Sequence, residues 1–156
     1  MNIFLIGLDI VLLGMAGYYV FWQSRLEYQA NYSYPQLFWG LILLMCFVTT
    51  RISNWPYIIF VAVFALLSVM AGVGGLGRER LVATGIFQRV IPYSSLAEIT
   101  LTPLTMPNGR QVVIAAFALA PRRLVRLTFK SSLEGMMSAL KEVVPESVEI
   151  KVQQVQ

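Results

Sequence analysis

Between residues 72 and 80 the chain changes character, and that change limits what it can fold into more than any other feature. Gly72, Gly74, Gly75 and Gly77 are followed by Arg78 and Arg80. Upstream the residues are almost wholly apolar; downstream, charge appears and apolar residues begin to alternate with polar ones. Glycine carries the largest backbone entropy cost in a helix, so this cluster ends the apolar run before it. The arginines that follow sit where cations favour lipid headgroups. The joint therefore predicts a membrane region over residues 1–77 and a water-soluble domain over residues 78–156.

Three apolar runs precede the joint. Residues 2–22 are, at about 1.5 Å per residue, long enough to cross the roughly 30 Å hydrocarbon layer. No Lys or Arg precedes this run, and its length argues against a cleaved signal peptide. Tyr18, Tyr19 and Trp22 give it an aromatic end suited to an interface. Gly7, Gly14 and Gly17 either admit a second helix at close range or are simply tolerated there. Residues 23–34 read as a polar, aromatic loop. Pro35 and Pro56 each fit the first turn of a helix, where a missing N–H costs nothing. A second helix is expected through residues 37–48, ending near Arg51, and a third over residues 57–71. The turn between them is short enough to make them antiparallel neighbours. The expectation is a membrane α-helical region of three transmembrane helices. Arg25, Arg78 and Arg80 then share one side and Arg51 stands on the other. The positive-inside bias places the amino terminus outside and the carboxy-terminal domain in the cytoplasm.

Past the joint, residues 81–87 read as a strand and residues 91–95 as a break. Residues 96–102 alternate with period two. Met106, Pro107, Asn108 and Gly109 make the strongest turn signal, because Asn-Gly readily takes up the positive backbone angles of a hairpin. Residues 111–119 are apolar on both faces and should form a central strand. After a turn at residues 120–123, Val125, Leu127 and Phe129 share one face while Arg126 and Lys130 share the other. The period then becomes helical at Leu133, Met136, Met137, Leu140, Val143 and Val144. Ser131 and Glu134 fit a capping box, and Pro145 stops the helix. Residues 148–153 alternate again, as a last strand or a loosely held tail. The pattern is an antiparallel meander followed by a packed helix, a small α+β domain.

Residues 84–87, residues 90–99 with their Ile91-Pro92-Tyr93 step, the turn at residues 120–123 and residues 127–130 resemble the small bacterial membrane proteins that carry a pleckstrin-homology-like (PH-like) domain after two or three helices. The resemblance covers residues 80–145. It implies a bent antiparallel PH-like sheet closed by a C-terminal helix and used for binding rather than catalysis. Its motif does not fix lipid-binding residues, and this chain continues for residues 146–156 beyond the closing helix.

Charge and composition narrow the chemistry. Only 13% of residues are charged against 57% hydrophobic, where a soluble domain carries about a quarter charged. Ten of the twelve Lys and Arg residues, and six of the eight acids, lie from Arg78 onward, so the downstream half carries the whole +4. That balance suits an anionic lipid surface. Nucleic acid would need a denser basic face with interleaved aromatics. Histidine is absent, which removes the usual general base and the commonest neutral metal ligand. The single cysteine, Cys46, permits no intrachain disulfide or cysteine cluster and reads as a packing residue. The glycine cluster follows a membrane helix rather than a strand, so it is no dinucleotide fingerprint. Nothing marks an enzyme, a metal site or a cofactor site.

Three features remain. Asp9 is the only acid within an apolar run, and intramembrane acids are costly. It is expected to pair with Arg51, joined through Thr49, Thr50 or Asn54, as a structural lock; the alternative is a site of its own within the membrane. Arg122, Arg123 and Arg126 are expected to bind lipid phosphates or a partner, or else to form an ordinary solvated surface. The functional expectation is a non-enzymatic membrane-anchored adaptor whose cytoplasmic domain binds a protein partner, a second copy of itself or anionic headgroups. The alternative is an accessory subunit of a larger membrane transport or translocation complex.

Overall fold

The computed structural model describes residues 2–51, 53–85, 90–120 and 122–154. The chain forms two compact units and passes between them more than once. The helical unit comprises residues 1–24, 32–73 and 84–88, and the sheet unit residues 25–31, 74–83 and 89–156.

The helical unit holds α1 (Asn2–Gln23), α2 (Tyr34–Thr49) and α3 (Trp55–Met70). Helix α3 packs against both others. Gln23 Nε2 donates to the Met70 carbonyl at 3.0 Å, so the C-terminal ends of α1 and α3 lie together. Ala16 and Tyr19 of α1 join Val63, Leu67 and Met70 of α3 in one apolar cluster. Phe47 of α2 stands edge-on to Phe60 and Phe64 of α3, each at 5.3 Å between ring centres. Gly40 lets α2 approach Ser68 closely, since a Cβ there would come within 2.4 Å of the Ser68 Cβ. Gly7, Gly14 and Gly17, by contrast, meet nothing within 4 Å.

Three transmembrane helices are not what the chain builds. Only α1 is long and apolar enough to cross a membrane among the described residues. Its 22 residues extend about 33 Å, whereas the 16 residues of α2 and of α3 extend only about 24 Å each, short of the roughly 30 Å layer. The apolar runs are cut at both ends. Pro35 and Pro56 fall in the first turns of α2 and α3. Thr49 and Thr50 turn their hydroxyls back onto the Cys46 and Phe47 carbonyls and close α2. Met70 is the last residue of α3, just before the glycines. Cys46 is exposed on α2 rather than packed.

In the sheet unit, β1 (Leu26–Gln29), β2 (Gly75–Gly77), β3 (Arg80–Val82) and β4 (Val90–Pro92) form an antiparallel sheet in that order. Residues 23–34, expected to be a loop, thus contribute a strand, and the glycine joint contributes another. Gly75 is required there: a Cβ would lie 2.3 Å from the Tyr28 carbonyl oxygen across the β1–β2 pair. Of the strand expected at residues 81–87, β3 occupies the start, while residues 86 and 87 lie outside the described residues.

A turn of 3-10 helix, Tyr93–Ser95, leads to β5 (Leu96–Thr105), β6 (Gln111–Leu119), β7 (Arg123–Phe129), α4 (Leu133–Val143) and β8 (Glu149–Val152). The second sheet has the order β7-β6-β5-β8, with β6 internal. Gly109 takes the positive φ of 78° that the β5–β6 hairpin turn demands. Helix α4 buries Met136, Ala139, Leu140 and Val143. Its N-cap is Ser132, whose hydroxyl accepts from the Gly135 N–H at 3.2 Å, one residue later than the capping box expected at Ser131.

A single antiparallel PH-like sheet closed by a C-terminal helix is likewise corrected. Among the described residues there are two four-stranded sheets, and the second is mixed because β8 runs parallel to β5. The chain does not end on α4. Pro145 breaks the helix, and the alternating residues beyond it reach the free edge of β5, pairing Glu98 with Glu149 and Thr100 with Lys151. Leu76 and Leu81 from the first sheet join Ile99, Phe117 and Leu127 from the second and Leu140 of α4 in one core.

Candidate functional site

Strand register decides what the β6–β7 end of the second sheet presents. Strand β7 pairs Arg123 with Leu119, Leu124 with Ala118 and Arg126 with Ala116. Leu127 and Phe129 are buried, while Leu124, Arg126 and Lys130 are exposed. Side chains alternate across a strand, so Arg126 and Lys130 stand on the outer face with Leu124. Arg123 has the core-facing parity, but it lies at the end of the strand, past the core, and is exposed with Arg122. Arg126 is three residues, about 10 Å, along the strand from Arg123. Among the described residues none of the three arginines makes an ion pair, unlike Arg78 with Glu27 and Lys151 with Glu98 and Glu149. Beside Arg122 and Arg123 lies a hollow of about 460 Å³, lined also by Ala97, Ala118, Leu119 and Leu124. Short side chains on neighbouring strands leave that space open.

The outer face has a further cation, Lys151, that sequence reasoning did not single out. Arg126, Ala116, Thr100 and Lys151 lie in one row across β7, β6, β5 and β8. The Lys151 ammonium reaches Glu98 at 3.2 Å and Glu149 at 3.6 Å. Its hydrogen bond to Glu98, then the Glu149 charge, hold it above the usual lysine pKa. Lys151 is therefore internally balanced, whereas the arginines at the other edge are not. Alternation in residues 148–153 indicated a strand, but nothing local indicated its parallel partner or this pairing.

Around β1, Tyr28 donates its hydroxyl to Glu142 of α4 at 2.9 Å, and that bond raises the Tyr28 pKa. Arg78 pairs with Glu27. Tyr93 donates to the Gly77 carbonyl at 2.6 Å, and its burial, followed by the Glu27 charge, pushes its phenol well above the ordinary value. These contacts tie β1 and β2 to the rest of the sheet unit.

Asp9 and Arg51 are not brought together as an ion pair. Asp9 is 5% exposed on α1, and its Oδ1 accepts no hydrogen bond. Arg51 is exposed in the turn after α2, with φ of 36°. The two threonines expected to join them are turned elsewhere: the Thr49 hydroxyl donates to the Cys46 carbonyl, and the Phe47 carbonyl accepts from the Thr50 N–H, the Thr50 hydroxyl and the Tyr57 hydroxyl.

No family model, curated protein or solved structure matches the chain.

Proposed function

We propose that this protein is a non-enzymatic membrane-anchored adaptor whose sheet unit binds anionic lipid headgroups through Arg122, Arg123 and Arg126. The observation that carries this reading is the set of three exposed arginines without ion pairs along the edge strand β7 and the turn that leads into it. A guanidinium presents five donors in a planar fork suited to phosphate oxygens. Each adds on the order of 1 kcal/mol near an anionic surface, so three together change binding about a hundredfold. Helix α1 supplies the anchor. Arg25 follows it closely, which favours an outside amino terminus and a cytoplasmic sheet unit. The exposed apolar side chains of α2 and α3, among them Phe38, Trp39, Ile42, Ile59 and Leu66, are best satisfied by lipid around that anchor.

The test holds the full chain in phosphatidylcholine nanodiscs, so that its apolar helices are satisfied, and mixes it with vesicles. Co-flotation is expected with phosphatidylserine-rich vesicles and not with phosphatidylcholine vesicles, and it should weaken steeply with salt. Glutamate at all three arginines should abolish it. If the triple variant floats as well as the parent, the proposal fails.

A further inference from the structure

An open groove of about 580 Å³ runs along helices α2 and α3 to their connecting turn. Leu44, Val48, Ile58, Val61, Ala62 and Ala65 line its length, and Arg51, Ser53 and Tyr57 stand at the turn. From Ala65 to Tyr57 the α3 wall runs about 12 Å. The lining is apolar along this length, with a cation and hydroxyls at one end only. We infer that the groove holds one acyl chain of an anionic phospholipid whose phosphate is taken by Arg51.

Charge and hydrogen bonding single out that occupant. Asp9 and Arg51 are the only charged residues of the helical unit. Asp9 is buried and Arg51 is exposed without an ion pair. An arginine after a helix commonly turns back to cap the last carbonyls. Here the Phe47 carbonyl is already taken by Thr50 and Tyr57, which also hydrogen-bond each other. The guanidinium is thus uncommitted. A second copy docking its helices in the groove would bring no accessible acid to Arg51, because its only helical acid is the buried Asp9. An amphiphile with one acidic head meets both ends of the groove. This site shares no residue with the arginines of the sheet unit and stands or falls separately from them.

The test is native mass spectrometry of the full chain, equilibrated in detergent with equal amounts of phosphatidylglycerol and phosphatidylcholine. One retained lipid per chain is expected, with phosphatidylglycerol preferred about fivefold, the factor one arginine supplies at an anionic head. Arg51→Gly should erase the preference without lowering the unfolding temperature, since glycine suits a positive φ. Arg51→Lys should restore most of it. Ala62→Leu, which fills the groove, should remove the retained lipid whatever its headgroup. Glutamates at Arg122, Arg123 and Arg126 should leave it in place. The inference is overturned if Arg51→Gly keeps the preference, if Ala62→Leu still carries lipid, or if the species retained is a second copy of the chain.

Discussion

Replacing Asp9 with asparagine should make the full chain more stable, and the size of the gain tests how the helical unit is built. Asp9 is 5% exposed. Leu12, Ala16 and Tyr19 continue its side of α1 into the apolar cluster with α3. Its Oδ1 accepts no hydrogen bond. A buried polar atom without a partner costs about 1–3 kcal/mol, and more when it is charged. Asparagine keeps the volume and an unpaired oxygen but removes the ionisable group, the costlier one to bury in an apolar site, so about 1 kcal/mol should be recovered. For a unit of roughly 70 residues that corresponds to about 4–8 °C. The assay is thermal unfolding by circular dichroism in one detergent for Asp9→Asn, Arg51→Gly and the double variant. Because no ion pair joins Asp9 to Arg51, the two effects should add to within about 0.5 kcal/mol. A lower melting temperature for Asp9→Asn, or a coupling above about 1 kcal/mol, would show that the carboxylate has a partner and refute the reasoning.

Two further outcomes check the sheet unit. Gly75→Ala would put a Cβ 2.3 Å from the Tyr28 carbonyl and should cost about 1–3 kcal/mol through forced backbone movement; an unchanged melting temperature would mean that β1 does not pair with β2. Burial raises the Tyr93 pKa in the folded chain, while an unfolded phenol titrates near about 10. The stabilising difference is intact below that pH and is lost as pH rises toward the folded value, because only the unfolded state releases the proton. Denaturant unfolding of Tyr93→Phe should therefore lack part of the alkaline loss seen in the parent, and identical alkaline slopes in the two proteins would count against a buried neutral phenol.

Local signals in the residues reached as far as each element and stopped at its partners. Asn108 and Gly109 marked the hairpin turn because that turn's backbone angles are set by those residues alone. The spacing of Met136, Leu140 and Val143 marked the buried face of α4 for the same kind of reason. The strand at Leu26–Gln29 was hidden because a polar, aromatic stretch after an apolar helix reads as a loop, and its partner Gly75–Gly77 is nearly fifty residues away. Glycines that look like a helix terminus are used there for close strand contact. Length, rather than hydropathy, separates α1 from α2 and α3: the runs after Pro35 and Pro56 look like spans until the sixteen helical residues of each are converted to about 24 Å. At the candidate site, the arginines and their alternation were legible from β7 itself. The hollow beside them depends on Ala97 of β5 and Ala118 of β6. The balancing of Lys151 depends on a parallel register between β5 and β8. Neither is encoded within a single segment.

The central claim, a sheet unit held on the cytoplasmic side by α1, is tested most directly by thiol accessibility. In a Cys46→Ala background, Asn2→Cys and Ser132→Cys are each exposed to a membrane-impermeant maleimide in intact cells and again after lysis. The account predicts labelling of Asn2→Cys in intact cells and of Ser132→Cys only after lysis. Labelling of Ser132→Cys without lysis, or protection of both positions until lysis, would contradict it.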